Sequence, residues 1–185
     1  MRASAAAIDR IDGRRMGWLT PALPFGCSPR ASVALAGPPA YMAAMTTVLY
    51  NRDILRLAAS IPHHRRLDRP HASVEKRSPV CGSRVAVDVV LDGEGRLADL
   101  GQDVKACALG QASAALMGAN AIGRSGGDLA RARDDLAAFL AGSREDPGEW
   151  PGLELFREAR PYKARHPSIL LAFEAVAEAA AQASR

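Results

Sequence analysis

An α+β fold, an antiparallel β-sheet with helices packed on one face, is what this 185-residue chain predicts. Three observations lead there. Arg84–Leu91 is the clearest alternating apolar stretch, with Val85, Val87, Val89 and Leu91 on one face. The turn Asp92-Gly93-Glu94-Gly95 follows at once and folds the chain back, because glycine readily takes the positive φ values tight turns need. The elements run helix, strands, helices, which is an α+β order. With 19.6 kDa and 48% hydrophobic residues the chain can bury one core.

In chain order, Asn51 or Asp53 starts a first helix that buries Ile54, Leu55, Leu57, Ala58 and Ile61 and ends at Pro62. Residues 63–79 read as a polar, extended connection with one edge strand near 72–76. Strand 84–91 and a second strand, 96 to about 104, form the hairpin. Cys107 opens a helix of small residues, 108–122, whose alanines and glycines permit close packing on a sheet. After Gly123 an amphipathic helix starts at Ser125 or Asp128, buries Leu129, Leu136, Phe139 and Leu140, and closes at Gly142. A loop rich in Pro and Gly, 145–152, leads to a short helix at 153–159. The last helix begins near His166-Pro167, where proline's missing N–H costs nothing, and ends near Ala183.

Residues 1–44 differ from the rest, with five of the chain's 12 prolines and no sustained apolar period. They read as a disordered extension or as an over-long start, with Met45 the true beginning of the domain at 45–185. Their Arg and Ser content faintly resembles an organelle transit peptide, but Asp9 and Asp12 count against one, and Pro21 and Pro24 break any secretory core. The same segment holds five arginines and two aspartates, a net +3 of the chain's +4. The remainder is nearly neutral and shows no basic groove interleaved with aromatics, so no nucleic-acid partner is expected. No run approaches the ~18 apolar residues of a membrane span, so no membrane partner is expected either. Three cysteines make no disulfide framework, which favours a reducing, cytoplasmic compartment.

Cys81, Cys107 and His166 are the candidates for chemistry, each beside an element boundary. A helix N-terminus presents unpaired N–H groups and partial positive charge that favour a metal-binding or sulfur-attacking thiolate, and Cys107 sits at one. Set against this, a single cysteine is more often a small buried hydrophobe, and His166 could simply cap its helix. The chain has no pair of cysteines two residues apart, no phosphate-cradling glycine loop, no GxSxG elbow and no HExxH helix.

Three blocks, Cys81-Gly82-Ser83, then Val104-Lys105-Ala106-Cys107 running into Ala108-Leu109-Gly110-Gln111-Ala112-Ser113, and Arg165-His166-Pro167-Ser168-Ile169-Leu170, resemble the IscU/NifU/SufU-type iron–sulfur cluster assembly scaffolds. The family pattern is Cys-Gly-Asp, Gly-Cys before a Ser/Ala-rich helix, and His-Cys-Ser-Ile-Leu. The resemblance spans about Leu49 to Ala180 and implies a SufE/NifU-like fold and a scaffold rather than an enzyme. It implies Cys81, Cys107 and His166 as ligands of iron, zinc or a transient Fe–S cluster, with a cysteine desulfurase and recipient apoproteins as partners. Two positions depart from it. Ser83 replaces the aspartate, as a possible auxiliary group, and Pro167 replaces the third cysteine unless His166 itself takes that place. The same fold serves SufE-type sulfur acceptors, in which Cys81 would carry a persulfide. A degenerate member that binds a partner without metal is the third reading.

Overall fold

The computed structural model describes residues 49–185. The expectations for residues 1–44 and for Met45 as a start lie outside the described residues. The described elements are α1 (Arg52–Ala59), β1 (Ala72–Arg77), β2 (Arg84–Leu91), β3 (Leu97–Lys105), α2 (Ala108–Asn120), α3 (Gly126–Ala141), 3-10 turns at Leu153–Ala159 and Lys163–Arg165, and α4 (His166–Ala183). The strands form one antiparallel sheet in the order β1-β2-β3. α4 lies against β1 and β2 and is flanked by α2 and α3, while α1 packs on α2. This is the α+β architecture the sequence predicts.

Local chemistry explains the boundaries. The Asn51 side chain accepts the Ile54 N–H at 2.9 Å and starts α1. Ser125 and Asp128 form a reciprocal capping box at the head of α3, and Gly142 ends that helix at φ +84°. Asp92 closes the β2–β3 turn by accepting the N–H groups of Glu94 and Arg96. α2 is buried over most of its surface, from Leu109 and Gly110 to Met117 and Gly118, and its small side chains let α1 and α4 approach from different sides.

The structure differs from the sequence reading on the far face of β2. Val85, Val87 and Val89 are buried as expected, but so are Ala86 and Asp88 on the opposite face. The 60–71 connection, expected only to be extended and polar, reaches over to Asp88. Arg66 grips Asp88 with Nε at 2.6 Å and Nη2 at 2.7 Å, and the Leu67 N–H and Ser73 hydroxyl donate to the same carboxylate at 3.0 and 2.6 Å. Burial raises the pKa of the Asp88 carboxyl, but these hydrogen bonds and the Arg66 charge outweigh it and hold the group below the usual carboxylate range. A buried charge is tolerable because every face of it is paired.

Replacing Asp88 with Ala should cost about 2–4 kcal/mol, since several hydrogen bonds to a charged group are lost together. Because the folded-state pKa is depressed, this contribution is complete above the unfolded carboxylate pKa and disappears as pH falls through the folded value. Urea titrations of both proteins should therefore show a gap at pH 7 that narrows with acid; a gap independent of pH would contradict the assignment.

Candidate thiol site

Cys81 lies in the six-residue connection between β1 and β2, and Cys107 is the residue preceding α2. The connection is closed by the Ser78 N–H donating to the Ser83 carbonyl at 2.8 Å. Gly82 takes φ +69° there, a conformation L side chains rarely adopt, which brings Ser83 back toward the cysteine two residues earlier. The Cys81 Sγ then sits 3.3 Å from the Ser78 hydroxyl and 3.1 Å from that of Ser83. Cys81 is exposed, whereas Ser78 and Ser83 are buried.

Cys107 makes no side-chain cap on α2; its Sγ instead lies 3.3 Å from the hydroxyl of Ser168 in the first turn of α4. That hydroxyl is fully buried and is 3.2 Å from Ser83 Oγ. A continuous path thus runs from Cys81 through Ser83 and Ser168 to Cys107, joining two thiols 26 positions apart in sequence. α2 can come this close only because Gly110 has no side chain. A Cβ there would stand 2.7 Å from Ser168 Oγ.

Partial burial raises the Cys81 pKa, but hydrogen bonds from Ser78, Ser83 and Ser168 outweigh it and bring the thiol down from 9.0 to about 7. An exposed thiol at that value is about half ionised at neutral pH and is a competent nucleophile or ligand.

His166 lies elsewhere. It is the first residue of α4, but its Nε2 is 3.1 Å from the Ala159 carbonyl oxygen and 3.0 Å from that of Arg160, at the end of a 3-10 turn. The alternative that it caps its own helix is therefore corrected. The ring serves the preceding turn's carbonyls and not the N–H groups of α4. Among the described residues no three His, Cys, Asp or Glu side chains are gathered closely enough to hold a metal ion. Two thiols are fewer than the four protein ligands a [2Fe–2S] cluster takes.

The sequence reading missed Ser168, Ser78 and Gly110. Ser168 follows His166 and Pro167 in the third block, but a serine in a first helical turn carries no local sign of the distant groups it meets.

The comparisons with known proteins bear on this arrangement. No family model matches the chain, and no curated protein matches it. Among solved structures, the N-terminal part of a nitrogen-fixing NifU-like protein from Brucella abortus is 37% identical, with a TM-score of 0.72 over 76% of this chain and 97% of that one. The chain belongs to the IscU/NifU/SufU-type family. A protein described as an iron–sulfur cluster assembly scaffold for the SUF system, from Fervidobacterium islandicum, is 20% identical with a TM-score of 0.66, covering 71% of this chain and 96% of that one. At that identity it shows the shared fold alone. A further crystal structure, of a hypothetical protein, is 26% identical with a TM-score of 0.65, covering 72% of this NifU-like chain and 97% of the other.

Alkylation of Cys81 by iodoacetamide should rise with pH through a midpoint near 7, because only the thiolate attacks. Ser83→Ala should move the midpoint upward by removing a hydroxyl donor. An unchanged midpoint, read by mass spectrometry of the Cys81 peptide, would show that the hydroxyls do not set its acidity.

Proposed function

We propose that this NifU-like protein is an iron–sulfur cluster assembly scaffold, and that Cys81 and Cys107 hold iron or a transient cluster as cargo for recipient apoproteins. The observation that carries the proposal is the meeting of both thiols on the Ser83–Ser168 pair, at the end of a fold shared with a NifU-like relative. Thiolates are the usual ligands of Fe–S clusters, and hydroxyls that donate to sulfur lower the cost of keeping them ionised. The protein is on this reading a carrier rather than a catalyst. A cysteine desulfurase is the partner that supplies sulfur, and the cytoplasm is the compartment that keeps both thiols reduced. Among the described residues no helix is long and apolar enough to cross a membrane.

The set of ligands read from the resemblance included His166. Its ring nitrogen is engaged by two backbone carbonyls, so ligation by His166 would require the ring to leave them. Ser83 remains an auxiliary hydrogen-bond donor to Cys81 sulfur. Zinc is the other metal that a pair of thiolates accepts readily.

A second reading is favoured by the exposure and acidity of Cys81. Its thiolate would attack the outer sulfur of a desulfurase persulfide, take that sulfur as its own persulfide, and release the desulfurase cysteine as a thiolate. Cys107 would then have no required part.

Anaerobic incubation with ferrous iron, cysteine and a cysteine desulfurase separates the two. The scaffold reading expects iron and acid-labile sulfide on the protein, lost with Cys81→Ser or Cys107→Ser and kept with Cys27→Ser. A persulfide on Cys81, unaffected by Cys107→Ser and without iron, would replace it with sulfur relay.

A further inference from the structure

We infer that Cys81 and Cys107 are an oxidation site, closed into an intrachain disulfide by a hydroperoxide. The bond follows from where the two sulfurs stand. Its consequence, that cargo finds neither thiol free, rests on the scaffold reading.

The two cysteines leave the sheet from neighbouring strands. Arg84 and Lys105 are partners across the β2–β3 ladder, with Cys81 three residues before the first and Cys107 two residues after the second. Partners in an antiparallel ladder stand about 4.5–5.5 Å apart at Cα, within the roughly 4.4–6.8 Å that a disulfide spans. Past the end of the ladder the two chains stay together, because one hydroxyl serves both sulfurs. Ser168 Oγ is 3.3 Å from Cys107 Sγ and reaches Cys81 through Ser83. Among the described residues these are the two cysteines, and both are free thiols.

Little opposes closure. Cys81 is exposed, Val80 before it is 62% accessible, and a Cβ on Gly82 after it would meet nothing within 4 Å, so the space around this part of the connection is open. Turning the Cys81 side chain toward Cys107 exchanges its contacts with the Ser78 and Ser83 hydroxyls for a covalent bond and leaves the Ser78–Ser83 backbone closure in place. Cys107 makes no side-chain cap on α2, so bonding its sulfur frees no helix end. Exposure also sets the order of events: Cys81 meets the oxidant and the half-buried Cys107 resolves it.

The Cys81 thiolate attacks the terminal oxygen of the hydroperoxide, the O–O bond breaks, and the leaving alkoxide takes a proton. Cys81 is then a sulfenic acid. The Cys107 sulfur attacks the Cys81 sulfur, the S–O bond breaks, and the hydroxyl departs with the Cys107 proton as water. Two thiols are oxidised by two electrons in all, and the hydroperoxide is reduced to an alcohol. A dithiol reverses the reaction by exchange.

The test treats the reduced, metal-free full chain with equimolar hydrogen peroxide, then blocks remaining thiols by alkylation. Mass spectrometry should find a monomer lighter by two hydrogen atoms, with the Cys81 and Cys107 peptides linked, and dithiothreitol should restore the reduced mass. Cys107→Ser should stop at a sulfenic acid on Cys81 that dimedone traps, Cys81→Ser should leave Cys107 reduced, and Cys27→Ser should form the disulfide unchanged. Sulfenic or sulfinic acid on Cys81 of the unsubstituted chain beside a free Cys107 would overturn the inference. A disulfide to Cys27 or between two chains would do the same. Loading with ferrous iron and sulfide, without added thiol, separates this from the scaffold reading. Oxidised protein should bind neither until dithiothreitol is added. A disulfide that forms in a protein whose reduced state takes up no iron would leave the oxidation site standing and overturn the scaffold, whereas reduced protein that loads but forms no disulfide would do the reverse.

Discussion

Ser168 is the contact on which the site depends. Its hydroxyl is fully buried and touches groups 85 and 61 residues away in sequence, Ser83 and Cys107. A buried hydroxyl left without partners is costly, so both contacts hold the connection before β2 and the head of α2 in one place. Gly110 sets how near α2 comes, and the Ser113 hydroxyl donating to the Ile169 carbonyl repeats the attachment one turn further along. The two thiols are thereby joined through polar groups.

The opposite face of the sheet serves the same end by another means. Asp88 is a charge in the centre of β2, where a valine would satisfy the strand pattern. Its bond to Arg66 draws residues 63–67 over the sheet, while the Gln102 N–H donating to the His63 carbonyl at 2.9 Å ties the start of that segment to the β3 edge. With α4 on one face and residues 63–67 bound to Asp88 on the other, the sheet is a firm base for the connection that carries Cys81. An exposed, mobile thiol would gain little from neighbouring hydroxyls, since each hydrogen bond would have to offset the entropy of ordering the loop. Here the loop is already ordered by the Ser78–Ser83 closure.

The elements flanking the thiols were legible from short-range signals. The β2 valines, the Asp92–Gly95 turn, Ser125 with Asp128, Gly142 and Pro167 all act through local backbone chemistry, and the structure shows each in its expected role. Asp88 was not legible, because a lone acidic residue inside a strand has no partner in its own segment and its arginine is 22 positions away. Ser168 was missed for the same reason: serine in the first turn of a helix reads as a terminal residue until the tertiary fold shows what it faces.

Short-range signals set the α+β order, the helix ends and the placing of Cys81 and Cys107 next to element boundaries, because periodicity, caps and turns are properties of neighbouring residues. The resemblance carried by three short blocks pointed to the family. Only the tertiary structure decided that the two cysteines share a pair of buried serines while His166 turns to the carbonyls of Ala159 and Arg160. That division has a physical cause. Side-chain hydrogen bonds reach only about 3 Å, and which distant groups come within that reach is set by how α2 and α4 pack on the sheet.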